Sequence, residues 1–242
     1  MQAILPYQKT AQFYDHLLSH VDYKFWANYI DEISASHNLA EKSMLDLACG
    51  TGSFLKQISC LGYSAAGIEL SLEMVEQARF KNPGLEINVA DMLRFKSDQS
   101  YPLITCLFDS VNYLDNLEAI TELCNATFSN LKTKGLFIFD SVSERHCLTH
   151  YFDYSEYDRL GDIDYERRCQ FDMVNKIQRS TFIIHDKDDE YIEVHNQFIY
   201  KHDAIISAIA SSKLNFEAAY SDFTFDRVSK KSERIHYVCR KV

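Results

Sequence analysis

The sequence is poor in the residues that break or staple a chain. Only 7 glycines and 3 prolines occur among 242 residues, and there is no internal repeat, which excludes a collagenous or Pro/Gly-rich low-complexity chain. The 7 cysteines stand at 49, 60, 106, 124, 147, 169 and 239, an odd number with no C-x-x-C pair. Set mostly among apolar neighbours, they read as reduced thiols used as small hydrophobes, not as a disulfide framework. No apolar run reaches the roughly 18 residues of a membrane span, and residues 1–9 lack the charged start and apolar core of a secretory leader. A soluble, cytoplasmic protein is expected. Positive charge is also short, since 25 Lys and Arg face 35 Asp and Glu for a net of −10. That field repels nucleic acid and acidic membrane surfaces, so neither is an expected partner.

What is present is an ordinary globular composition, with 46% apolar, 13% aromatic and 25% charged residues, enough for one domain with an insert and a sizeable core. Apolar residues recur at helical steps across residues 10–37, through Phe13, Tyr14, Leu17, Leu18 and then Phe25, Trp26, Tyr29 and Ile30. From residue 44 short apolar runs alternate with helical patterns: runs at 44–48, 65–70, 86–90, 102–108 and 136–139, and helices after Gly52, over 72–80 behind the N-cap Ser71, and over 117–131. Such alternation predicts an α/β fold, a doubly wound, mostly parallel sheet whose ligands bind beyond the carboxyl ends of the strands. Residues 168–175, 177–185 and 191–200 instead alternate at period two around the polar turn at 186–190, which predicts an antiparallel insert. A helix over 203–213 and strands over 216–225 and 234–240 complete the expected seven-stranded sheet. The predicted division is a helical lid at 1–40, a core at 41–142, the insert over the site at 143–202, and a C-terminal helix with the last two strands at 203–242.

A strand running into a glycine turn at a helix start is a nucleotide site in outline. The turn here, Asp46-Leu47-Ala48-Cys49-Gly50-Thr51-Gly52, has Leu55 where a dinucleotide fingerprint has its third glycine. Its carboxylate suits a cationic ammonium or sulfonium, not a pyrophosphate, which disfavours a nicotinamide oxidoreductase. Glu69 and Asp91 end the next two strands, positioned to accept from ribose hydroxyls and from an adenine amino group.

Met44 to Phe54, with Gly67-Ile68-Glu69-Leu70-Ser71 and Met74, and Ala90-Asp91-Met92, resembles the class I S-adenosylmethionine-dependent methyltransferases. The flanks, including Phe13-Tyr14-Asp15, Val21-Asp22-Tyr23, Trp26-Ala27 and Ser232-Glu233-Arg234-Ile235, resemble a small-molecule subgroup similar to glycine and amino-sugar N-methyltransferases with a β insert. The resemblance implies S-adenosyl-L-methionine as cofactor and S-adenosyl-L-homocysteine as product. It implies that Asp46, Gly50 and Gly52 line the methionine portion and Glu69 the ribose, and that Met74, Asp91, Met92 and Leu107 belong to the rest of the cofactor site, with Tyr14 and Trp26 closing over it. Tyr101-Pro102 departs from the subgroup's aromatic-Asp pair and removes a backbone donor at the start of the fourth strand.

The expected reaction is methyl transfer to nitrogen or oxygen of a small-molecule acceptor. The run Phe108-Asp109-Ser110-Val111-Asn112-Tyr113 lacks the [DN]-P-P-[YF] pattern used on planar amino groups. Asp109, Asn112 and Tyr113 are expected near the methyl group, Asp109 as holder or base; capping of the following segment fits Asp109 and Asn112 equally. His195, in Glu193-Val194-His195-Asn196, is the candidate base or orienter, against a plain structural histidine. His146 and His150 flank Cys147 without tight ligand spacing, and no metal is expected. Tyr151, Phe152, Tyr154 and Tyr157 offer an aromatic wall or simply pack the insert. Methylation of RNA or protein, and cofactor binding without catalysis, are the alternatives. The insert is the expected seat of a homodimer contact.

Overall fold

The central strands bury both faces, which is why they read as unbroken apolar runs in the sequence. In the computed structural model, which describes residues 1–242, the chain begins with β1 (Gln2–Ile4), a 3₁₀ turn at Thr10–Gln12, α1 (Tyr14–Leu17) and α2 (Tyr23–Ser36). It continues through β2 (Ser43–Leu47), α3 (Ser53–Cys60), β3 (Ser64–Glu69), α4 (Leu72–Lys81), β4 (Glu86–Val89), β5 (Tyr101–Cys106), a 3₁₀ turn at Ser110–Tyr113, α5 (Leu117–Asn130) and β6 (Leu131–Val142). Then follow α6 (Glu144–His150), β7 (Asp153–Leu160), β8 (Ile163–Asp172), β9 (Ile177–Asp186), β10 (Asp189–Phe198), α7 (His202–Ala210), β11 (Asn215–Ser221) and β12 (Arg234–Arg240).

The main sheet has seven strands in the order β11-β12-β6-β5-β2-β3-β4. The five from β2 to β6 are parallel, and β12 lies antiparallel between β6 and β11. Met44, Leu103, Leu136, Ile138 and Val238 bury one face against α2 and α3; Leu45, Leu47, Ile104, Phe137, Phe139 and Tyr237 bury the other against α5 and α7. Strand order reverses between β5 and β2, so the loops after these two strands part and leave a crevice. A pairing irregularity between Tyr101 and Leu103 absorbs Pro102, whose missing N–H cannot serve the ladder. No helix is long and apolar enough to cross a membrane.

The insert is a second sheet in the order β1-β10-β9-β8-β7. Two of its strands lie outside the sequence expectation. β1 belongs to the N-terminal segment and pairs parallel with β10, and the exposed, mostly polar β7 shows no apolar alternation. β8 begins at Ile163, before the expected 168, because its inward positions Tyr165, Arg167, Cys169 and Phe171 include an arginine that interrupts the pattern. The helical pattern over residues 10–37 is divided between short helices: Asp22 caps α2 by accepting from the Phe25 N–H at 2.9 Å, and the chain ahead of it bends around the site.

Candidate active site

Two adjoining cavities occupy the crevice. The first, about 500 Å³, lies over the carboxyl ends of β2, β3 and β5; Asp46, Gly50, Glu69, Met74, Asp91, Met92, Leu107 and Tyr14 are on its wall. Four carboxylates line it, those of Asp46, Glu69, Glu73 and Asp91, and no lysine or arginine does. Such a wall suits a cationic ligand and opposes a pyrophosphate. Glu69 is built into the turn: it accepts the Gly50 N–H at 3.0 Å and those of Leu70 and Ser71 at 2.7 and 3.0 Å, with spare acceptor capacity on Oε2. Asp91 accepts the Leu93 N–H at 2.8 Å on Oδ1 alone. Asp46 is buried and accepts from Thr105 Oγ1 at 2.6 Å; burial pushes its carboxyl up to about 7.

Gly50 and Gly52 hold positive φ, 55° and 73°, and a Cβ on Gly52 would come within 2.8 Å of Asn82 Nδ2. Gly52 does not reach the cavity wall; it turns the chain into α3. Cys49 packs with Leu55, Val75, Ala78 and Ile87, and burial raises its thiol pKa, as suits a packing residue. Asp15 ties the N-terminal segment to the turn, accepting from Thr51 Oγ1 at 2.6 Å and pairing with Lys81 at 2.5 Å. Tyr14 is thereby seated beside Gly50.

The second cavity, about 420 Å³, lies between the N-terminal segment and the inward faces of β8, β9 and β10. Trp26 is on its wall and not on that of the first, stacked on Phe108 with ring centroids 4.0 Å apart. Tyr7, Tyr14, Phe108 and Tyr113 border both cavities and form the seam between them. At this seam Tyr7 Oη and Tyr113 Oη are 2.6 Å apart, Tyr113 Oη meets His195 Nδ1 at 2.9 Å, and His195 Nε2 meets Glu193 Oε1 at 2.9 Å. Glu193 is fully buried and also accepts the N–H groups of Tyr7, Lys9 and Thr10 at 2.6, 2.9 and 3.2 Å, together with the Thr10 hydroxyl. Although burial opposes its charge, the hydrogen bonds from His195, Thr10 and Lys9 hold its pKa below the usual value. Burial keeps both tyrosines firmly in the phenol form.

His195 therefore borders the second cavity with both ring nitrogens engaged, and Tyr113 stands between it and Tyr7. Asp109 is not a free base: its carboxylate pairs with Arg234 Nη2 at 2.8 Å and accepts from Gln197 Nε2. Asn112 borders neither cavity. It is wholly buried, donating to the Phe198 carbonyl at 2.8 Å and accepting the Val142 N–H at 3.0 Å. It joins the ends of β10 and β6 by satisfying backbone groups their ladders leave open. Among the aromatics at 151–157 only Tyr151 borders the cavity, whereas Phe152, Tyr154 and Tyr157 are exposed. His146 and His150 gather with Glu233, not with Cys147, their ligand atoms within 4.8 Å of one another; His150 Nε2 meets Glu233 at 2.8 Å.

Sequence reasoning missed Tyr7, Glu193, Arg167 and Arg234. The legible signal for Glu193 was its period-two spacing from His195, which puts both on the inward face of β10.

Residues 44–135 match the family described as "Methyltransferase domain". Over 246 residues the chain is 28% identical to the putative methyltransferase YqeM of Bacillus subtilis (strain 168), covering 97% of each. It is 29% identical over 119 residues to the dTDP-3-amino-3,4,6-trideoxy-alpha-D-glucopyranose N,N-dimethyltransferase of Streptomyces venezuelae, covering 49% of this chain and 50% of that one. Among solved structures, an S-adenosylmethionine-dependent methyltransferase from Clostridium acetobutylicum ATCC 824 superposes with a TM-score of 0.78 at 28% identity, covering 97% of this chain and 98% of that chain.

Proposed function

We propose that this chain, a class I S-adenosylmethionine-dependent methyltransferase of small molecules, methylates an amino nitrogen held in the second cavity and passes the released proton to Tyr113. The observation that carries the reading is the hydrogen-bonded line Tyr7, Tyr113, His195, Glu193 at the seam of the two cavities.

Bound in the first cavity, S-adenosylmethionine supplies an electrophilic methyl group on a sulfonium. Glu69 would accept from its ribose hydroxyls, Asp91 from the adenine amino group beside Met92 and Leu107, and Asp46 and the Gly50 turn would hold the methionine end. Met74 and Tyr14 would close the remaining walls. Gly52 acts by shaping the turn, and Trp26 by walling the acceptor's side.

Sulfonium displacement needs no protonated leaving group, so this chain's task is alignment, exclusion of water, and removal of one proton from the acceptor nitrogen. With Nε2–H directed at the Glu193 carboxylate, His195 Nδ1 is the acceptor for the Tyr113 hydroxyl, a tautomer assigned from the hydrogen-bond pattern. The acceptor's proton goes to the Tyr113 oxygen as Tyr113's own proton goes to Nδ1. The imidazolium so formed lies against an ionised carboxylate. The amino-sugar relative in Streptomyces venezuelae supports nitrogen as the atom methylated.

Calorimetry is expected to show S-adenosylmethionine and S-adenosylhomocysteine binding and no binding of NAD. In a radiomethyl assay with amine acceptors, Tyr113→Phe should lower kcat about 100-fold or more, with S-adenosylhomocysteine affinity unchanged. A variant as fast as the parent would remove Tyr113 from the proton path.

A further inference from the structure

Two arginines border the second cavity, and their surroundings differ. Arg234 is compensated twice, by Asp109 at 2.8 Å and by the buried Asp140. Arg167, on the inward face of β8, makes a single hydrogen bond, from Nη1 to Glu156 Oε1 at the long distance of 3.4 Å. Glu156 is itself shared, since its other oxygen accepts from Tyr154 Oη at 2.7 Å. The Arg167 Nε–H is buried with no partner. The Arg167 side chain is only 18% exposed. The one long ion pair with Glu156 compensates a guanidinium this far from water only in part, and an unpaired N–H adds to the cost.

The group is also held still. Its central carbon lies 5.2 Å from the Tyr151 ring centroid and 5.7 Å from that of Phe182, so two aromatic faces fix its plane. A fixed guanidinium with an unpaired N–H is matched by the paired oxygens of a carboxylate or phosphate. Ser180 and Gln178, on the neighbouring strand and the same inward face, border the cavity as further polar groups. Asp109 is held by Arg234, which it shares with Asp140, and by Gln197, so its carboxylate is not free in the cavity.

We propose that Arg167 is the recognition site for an oxyanion on the methyl acceptor, making the substrate a small amine that carries a carboxylate or a phosphate. The inference rests on the second cavity being the acceptor site, as argued above. Arg167 holds the acidic end of the molecule while its nitrogen reaches the tyrosine seam.

The test titrates benzoate, phenyl phosphate and the neutral isostere benzamide into S-adenosylhomocysteine-saturated protein, by calorimetry, for the parent, Arg167→Gln and Arg167→Lys. At least one anion is expected to bind about tenfold or more tighter than benzamide, Arg167→Gln to erase the difference and Arg167→Lys to keep part of it. Preference for benzoate identifies a carboxylate acceptor, and preference for phenyl phosphate identifies a phosphate ester. Equal binding of the anions and benzamide, absence of binding by all three, or a preference that survives in Arg167→Gln overturns the oxyanion site. The parent's anion-against-benzamide comparison stands alone if Arg167→Gln does not fold. Failure of S-adenosylhomocysteine itself to bind would instead overturn the reading of the two cavities.

Discussion

A carboxyl group cut off from water holds its proton to higher pH, and Asp46, buried at the end of β2, does so up to about 7. Between its ordinary value and that one the folded chain binds more protons at this site than the unfolded chain. Asp46 therefore contributes a stability that is lost as pH rises through this window. A cationic ligand beside it favours the ionised form, so S-adenosylmethionine affinity is expected to weaken as pH falls below about 7, by up to about tenfold per unit. Calorimetry of the parent against Asp46→Asn checks this, because the variant keeps an acceptor for Thr105 and loses the titration; identical pH dependence would contradict the assignment. That Asp46, Glu69 and Asp91 share one cavity wall was legible because each lies at or just past the carboxyl end of a strand, where chain order alone fixes the place of a side chain. The state of Asp109 was not, because its partners Arg234 and Gln197 come from β12 and β10, far along the chain.

At the scale of elements, one side chain gathers the start of the N-terminal segment. Glu193 accepts three consecutive-region N–H groups from residues 7, 9 and 10 and orients His195. Glu193→Gln replaces an acceptor oxygen by an amide that must face donors, leaving buried groups unsatisfied. Hydrogen exchange is expected to accelerate about tenfold or more over residues 2–12, and turnover to fall with it. Unchanged protection would show that β1 pairing and the stacking of Phe13 on Tyr165, with ring centroids 4.2 Å apart, suffice to hold the segment. The parallel strands were legible as short apolar runs between helical patterns. β1 and β7 were not, since an exposed edge strand needs no apolar face and takes its pairing from a distant neighbour.

On the scale of the whole molecule, the second cavity is walled by both sheets and by the N-terminal segment at once, and it shares that segment with the first. The insert and the core are therefore expected to unfold together. S-adenosylhomocysteine at about 100 times its Kd should add about 2.7 kcal/mol and raise the single thermal midpoint by roughly 5–10 °C. Two separate transitions, only one of them moved by the ligand, would show the insert to be an independent unit. By itself the sequence determined the α/β class, the glycine turn and the order of the acidic strand ends, because periodicity and short-range spacing are local properties of the chain. Only the tertiary structure decided which polar groups are free to act. It occupied Asp109 and Asn112 with partners, set Tyr113 between Tyr7 and His195, and left the Arg167 Nε–H unpaired. Hydrogen-bond satisfaction and burial are settled by contacts between segments far apart in the chain, which no local pattern records.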